Sequence, residues 1–190
     1  MAERAFVADA FALGGLPAPA PSSLDDVVDA SDLVVRGRFG DARPVLEASR
    51  PAGRYIAISI EGASVLSGAI KGRSIGMLHF VGSDDPAQAA DAWNAGRSGL
   101  LADDDVVFFL RSASTPRTST RPGGTASAFS ADPSLYWSTS YGSFFVDTPI
   151  GPMAPAAPEG HREAASRTYV DDVEAFGALA DVVAATRARG

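Results

Sequence analysis

SDLVVRGRF, residues 31–39, is the stretch that decides the fold. Leu33, Val35 and Phe39 fall on one side of an extended chain, Arg36 and Arg38 on the other. That is the period-two alternation of a strand with one face in a core. Two more runs, YIAISI at 55–60 and DVVFFL at 105–110, are equally rich in β-branched and aromatic residues. Polar or Gly- and Pro-containing segments separate the three, which predicts a small antiparallel β-barrel or sandwich.

Outward from these runs the remaining elements follow. Ser22 and Ser23 offer an N-cap to a short helix in which Leu24, Val27 and Val28 recur at helical spacing. Residues 40–53, with Pro44, Pro51 and Gly53, read as a long hairpin loop. The second strand starts near Arg54 and puts Ile56, Ile58 and Ile60 on one face. Gly62 marks a bulge, after which Val65 and Leu66 continue the apolar run. A turn at Lys71-Gly72 leads to a third strand, Ser74 to Val81, that places Ile75, Met77, His79 and Val81 together. Pro86 opens an inserted short helix, PAQAADAWN, for which Gly96 is the expected stop.

The fourth strand is Val106 to Arg111, and the Ser-, Thr-, Pro-, Gly- and Arg-rich residues 112–134 read as a mobile or partner-ordered loop. Leu135–Thr139 and Ser143–Asp147 are expected to form a hairpin around Ser140-Tyr141-Gly142. The domain plan is therefore an N-terminal arm at 1–21, a barrel at 22–148, a Pro/Ala/Gly linker at 149–167 and a C-terminal helix at 168–190. That helix has Val173, Phe176, Ala180 and Val183 on one face.

Composition bounds the function. With 46% hydrophobic residues the 190-residue chain can bury a core. A net charge of −7 disfavours nucleic acid as the main partner, because binding a phosphate backbone needs a positive field. The absence of cysteine removes disulfides, thiol catalysis and thiolate-held metals. Lys71 is the only lysine among many arginines and alanines, a high-GC coding bias of bacterial or bacteriophage type. No run reaches the roughly 18 apolar residues that span a bilayer. Asp9 interrupts the apolar N-terminus before signal-peptide length. The expected setting is secreted or envelope-associated if an upstream signal is removed, and virion or cytoplasmic otherwise.

The order SLDDVVDA, SDLVVRGRF, an Arg54-Tyr55 strand ending VLSGAIKG, SIGMLHFVG and LADDDVVFFL resembles the OB-like barrel of netrin-type and tissue-inhibitor-of-metalloproteinase-like domains. It is especially similar to high-GC bacterial proteins that carry such a barrel. The resemblance spans residues 24–147 and rests on strand patterns. It implies a small antiparallel OB-like β-barrel and a non-enzymatic binding role; with the short N-terminal helix, the inserted short helix and the C-terminal helix read above, the expected fold is mainly β. The animal inhibitors chelate zinc through an N-terminal cysteine; this chain has none, so that route does not carry over.

Candidate chemistry is sparse. His79 lies mid-strand among apolar residues and His161 follows the linker, a spacing that makes no zinc site. Asp103-Asp104-Asp105 offers hard oxygen ligands but no EF-hand spacing, and reads as a solvated turn. No S-x-x-K motif or phosphate-binding glycine loop is present. No catalytic residue, cofactor site or metal site is therefore assigned. Tyr136, Trp137, Tyr141, Phe144 and Phe145 form an aromatic run that divides between core and partner contact. The expected function is a non-enzymatic protein-interaction or structural barrel. The alternatives are a bacteriophage virion component and, from another class, a hydrolase or metal-dependent enzyme using His79. The expected partner contacts are Phe6, Phe11, Leu13, Tyr136, Trp137 and Tyr141, toward a protein partner or a second copy.

The arm generates a test. Phe6, Val7, Phe11 and Leu13 are apolar, and burying each large side chain gains roughly 1.5–3 kcal/mol. Deleting residues 2–20 is expected to weaken self-association or partner assembly while the barrel stays folded. Unchanged assembly by light scattering, with an unchanged melting temperature, refutes a docked arm.

Overall fold

The computed structural model describes residues 23–45, 55–81, 85–97, 104–116, 129–139, 144–147 and 178–188. In chain order the elements are α1 (Leu24–Asp29), β1 (Leu33–Val45), β2 (Tyr55–Gly68), β3 (Gly76–Phe80), α2 (Pro86–Arg97), β4 (Val106–Ser112), β5 (Leu135–Ser138), β6 (Phe144–Val146) and α3 (Leu179–Arg187). The Ser23 hydroxyl caps α1 by accepting from the Asp26 amide.

β1 pairs antiparallel with β2 on one edge and with β4 on the other. β2 pairs antiparallel with β3, and β5 lies between β3 and β4. The ring β1-β2-β3-β5-β4 closes into a five-stranded barrel, as an OB-like fold requires. The barrel is mixed where an antiparallel one was expected, because β3 and β5 run parallel, with Gly76 opposite Leu135 and Leu78 opposite Trp137. A parallel pair needs a long crossover connection; α2 and β4 lie between these two strands in the chain.

The alternation seen in the sequence fills the barrel. Leu33, Val35, Ile56, Ile58, Ile60, Val106, Phe108 and Leu110 are all buried in one cluster. At its centre the Phe39 ring makes edge contacts with Trp93, Phe108 and Phe144 at 5.5, 4.9 and 5.3 Å between centroids. Ala90 and Trp93 of α2 belong to the same cluster. The outward side chains Val34, Leu66, Val107, Phe109 and Phe145 are covered by Leu24, Val27 and Val28 of α1 and by Leu179, Val182 and Val183 of α3.

Several expectations are corrected. β1 continues through residues 41–45, which the prolines had marked as loop, and these pair with β2 as far as Val45 opposite Tyr55. Pro44 is tolerated because its missing N–H lies on the edge away from β2. β5 and β6 are not a hairpin. Both run antiparallel to β4 along the same edge, with Tyr136 opposite Ser112 and Phe145 opposite Val107, so they are successive pieces of one interrupted strand. Residues 129–134 are tied down: the amides of Phe129 and Ser130 both donate to the Ala113 carbonyl. α2 runs past Gly96 to Arg97. On the C-terminal helix Val183 is buried as expected, but Ala180 is exposed and Leu179 and Val182 take the inner face; Val173 and Phe176 lie outside the described residues. Val65 is exposed while Leu66 beside it is buried.

Gly62 is the expected bulge, with φ +61° beside a register shift between Arg36 and Arg38. Gly68 closes β2 at φ +79°, where an added Cβ would run into the Asp32 carbonyl. Ile58 is fully buried at the barrel centre. Ile58→Ala is expected to cost about 2–5 kcal/mol by urea unfolding, with an unchanged m-value. A cost below about 1 kcal/mol would show that this site is not tightly packed.

Candidate functional site

Where Ile56 points into the barrel, its neighbour Tyr55 must point out. The same parity turns Phe80 of β3 and Trp137 of β5 outward, and the register brings them together: Tyr55 faces Phe80, and Leu78 faces Trp137. Phe129 completes the group. Tyr55 contacts the rings of Phe80, Phe129 and Trp137 at 5.3, 5.1 and 5.3 Å, and Phe129 meets Trp137 at 4.6 Å. Most of these contacts are edge-to-face. All of these rings are half-buried. Beneath them lies a small apolar floor of Val45, Ala57, Leu78, Ala113 and Leu135.

A fixed loop holds one side of this patch. Asp132 Oδ1 accepts from both the amide and the hydroxyl of Ser134, at 2.9 and 2.6 Å, and the Asp132 amide donates to Ser130 Oγ. The hydroxyl and amide of Ser134 hold the Asp132 carboxyl below the usual carboxylate range, with a further contribution from Arg43. Arg43 reaches Asp132 at 3.7 Å with both side chains largely in solvent. Arg111 stands opposite Trp137 across the β4–β5 pair, half-buried, and its Nε is buried without a hydrogen-bond partner. The surface thus combines aromatic faces with cationic edges, able to cover an apolar side chain and to meet an acceptor at its rim.

Of the residues expected to contact a partner, Trp137 lies in this patch. Tyr136 does not: it is fully buried, points into the barrel and accepts a hydrogen bond from the Lys71 amide at 3.2 Å through its hydroxyl. Adjacent strand residues face opposite ways, so both could not be outside. Phe144 and Phe145 are core residues of the inner and outer clusters. Phe6, Phe11, Leu13, Tyr141 and His161 lie outside the described residues. Tyr55, Phe80 and Phe129 were not singled out in the sequence. The parity opposite to the isoleucine and methionine face marks Tyr55 and Phe80, whereas nothing local marks Phe129.

His79 is 8% exposed and faces the barrel interior opposite Ile56. Desolvation lowers its pKa from 6.5 to about 4, so it is neutral at pH 7. Asp105 is shared by Arg36 and Arg38, and the hydrogen bond from Arg36 is the main reason its carboxyl is held below the usual range. That carboxylate is committed to guanidinium partners on the barrel surface. Among the described residues no cluster of potential metal ligands occurs, and no helix is long and apolar enough to cross a membrane.

Comparison of the chain with protein-family models, with curated proteins and with solved structures finds no match.

The buried histidine generates a pH test. Between pH 6.5 and about 4 the unfolded chain binds a proton at His79 that the folded chain refuses. Stability is therefore expected to fall as pH drops through that window, by up to about 3 kcal/mol. The depressed carboxylates of Asp105 and Asp132 titrate below it. His79→Leu is expected to flatten the dependence, read as urea midpoints at pH 7.5 and 4.5. An unchanged slope in the folded variant would contradict a desolvated His79.

Proposed function

We propose that this chain is a non-enzymatic protein-binding module, and that the outward patch of Tyr55, Phe80, Phe129 and Trp137 is its contact surface. One observation carries the reading: aromatic rings from separate strands and a pinned loop converge on one outer face and stay half-buried. Tyr and Trp are the side chains that most often dominate protein contacts, since they present large rigid area at little entropic cost. The pinning of residues 129–134 lowers the ordering cost of binding further.

The neighbouring chemistry supports a protein partner over nucleic acid. Arg36 and Arg38 share the Asp105 carboxylate, and the chain is acidic overall. The burial of His79 supports a packing role for it in place of acid–base work. The strand order, together with the resemblance to netrin-type and inhibitor-type barrels, supports a place among OB-like binding domains.

The test places a photo-crosslinking amino acid at Phe80, with exposed Asp91 of α2 as the control position. A protein that crosslinks at position 80 and not at 91 is expected. Once purified, it is expected to bind a Tyr55→Ala/Trp137→Ala double variant at least about tenfold more weakly than the native chain. Equal affinity for the double variant would remove the patch as the contact surface.

A further inference from the structure

Past Gly37, the last residue of β1 paired with β4, the outer edge of β1 has no strand beside it among the described residues. Such an edge exposes backbone donors and acceptors to any chain that can pair with them. Here a helix side chain takes the place of a strand. The Ala42 amide donates to Asn94 Oδ1 at 2.7 Å, and the Ala42 carbonyl accepts from Asn94 Nδ2 at 3.0 Å. Both groups of Ala42 therefore turn away from β2, although Ala42 is in register with Ile58.

Two residues on, Pro44 faces the same way and has no N–H to offer. Two residues before, the Gly40 carbonyl accepts from Trp93 Nε1 at 3.1 Å, in a buried hydrogen bond. Adjacent residues of α2 thus occupy adjacent acceptors on this edge. A carboxamide carries one donor and one acceptor side by side, as a peptide unit does, so Asn94 reproduces the bonding of one strand residue.

We infer that α2 is an edge guard: the Asn94 carboxamide, helped by Trp93 and Pro44, closes residues 40–44 of β1 to strand addition by a second copy of this chain. The second copy is the fitting occupant because antiparallel pairing is self-complementary. The identical edge, turned about a two-fold axis, returns a donor and an acceptor to Ala42. Both Asn94 bonds go to Ala42, so removing that one side chain strips the guard from the Ala42 amide and carbonyl while Ala90 and Trp93 keep α2 packed on the barrel.

The test compares Asn94→Ala with Ala90→Gly. The second weakens α2 and its packing but leaves the clamp in place. In Asn94→Ala at low concentration, amide exchange at Ala42 is expected to rise at least about tenfold while Ile58 stays protected. As concentration rises, light scattering is expected to show a new dimer, and the Ala42 amide is expected to regain protection. Ala90→Gly is expected to do neither. If Asn94→Ala does not fold, Asn94→Gln, whose longer side chain misplaces the carboxamide, is read in the same way. The inference is overturned if the folded Asn94 variant keeps the native oligomeric state at every concentration. It is also overturned if Ala90→Gly dimerises equally, or if the dimer leaves Ala42 unprotected.

Discussion

The barrel depends on one strand serving two neighbours. β1 pairs with β4 from Leu33 to Gly37 and with β2 along its whole length from Leu33 to Val45. A flat strand cannot do both and close a ring, because closure needs strong coiling. The chain supplies the bend through three register shifts in the β1–β2 ladder and through Gly37, where any Cβ would lie 2.8 Å from Ile60 Cγ2 and 2.9 Å from the Glu61 carbonyl. That close backbone approach lets β1 cross over β2 while Val35 and Phe39 on either side of it remain in the core.

Once closed, the barrel has an inside and an outside, and its outside has two unlike parts. Near β1, β4 and β6 the outward side chains are aliphatic or phenylalanine, and two helices cover them. Over β2, β3 and β5 the floor is small and its cover is aromatic. The first surface is packed as a second core. The second keeps part of each ring in solvent and borders Arg43 and Arg111. This asymmetry places the candidate contact surface, and it is a property of the strand order, since Trp137 reaches Tyr55 and Phe80 only because β5 inserts beside β3.

Polar groups follow the same economy of position. His79 is tolerated inside because it stays neutral there, and Asp105 answers two arginines that would otherwise stand together unpaired on the outward face of β1. Asn94 and Trp93 satisfy backbone groups of β1 that a further neighbouring strand would have met. The ring of strands is therefore closed by the β1–β4 pair at Leu33–Gly37, and beyond Gly37 helix side chains take over the free edge of β1.

Much of the fold was legible from period-two alternation. Leu33, Val35, Ile56, Ile58, Ile60, Val106, Phe108 and Leu110 could be assigned to one core, because a strand residue's side follows from its parity alone. The bulge at Gly62 and the start of α1 at Ser23 were legible for the same local reason: backbone conformation and capping are decided within a few residues. What stayed hidden depends on partners distant in the chain. Pro44 marks a loop until it is known that its edge faces away from β2. Residues 135–147 suggest a hairpin until β4 is seen to bind both pieces on one edge. The parallel β3–β5 pair, which assembles Tyr55, Phe80 and Trp137, leaves no mark in either strand, because parallel and antiparallel ladders demand the same alternation of side chains. The sequence by itself determined which residues face inward; only the tertiary structure decided which outward residues meet.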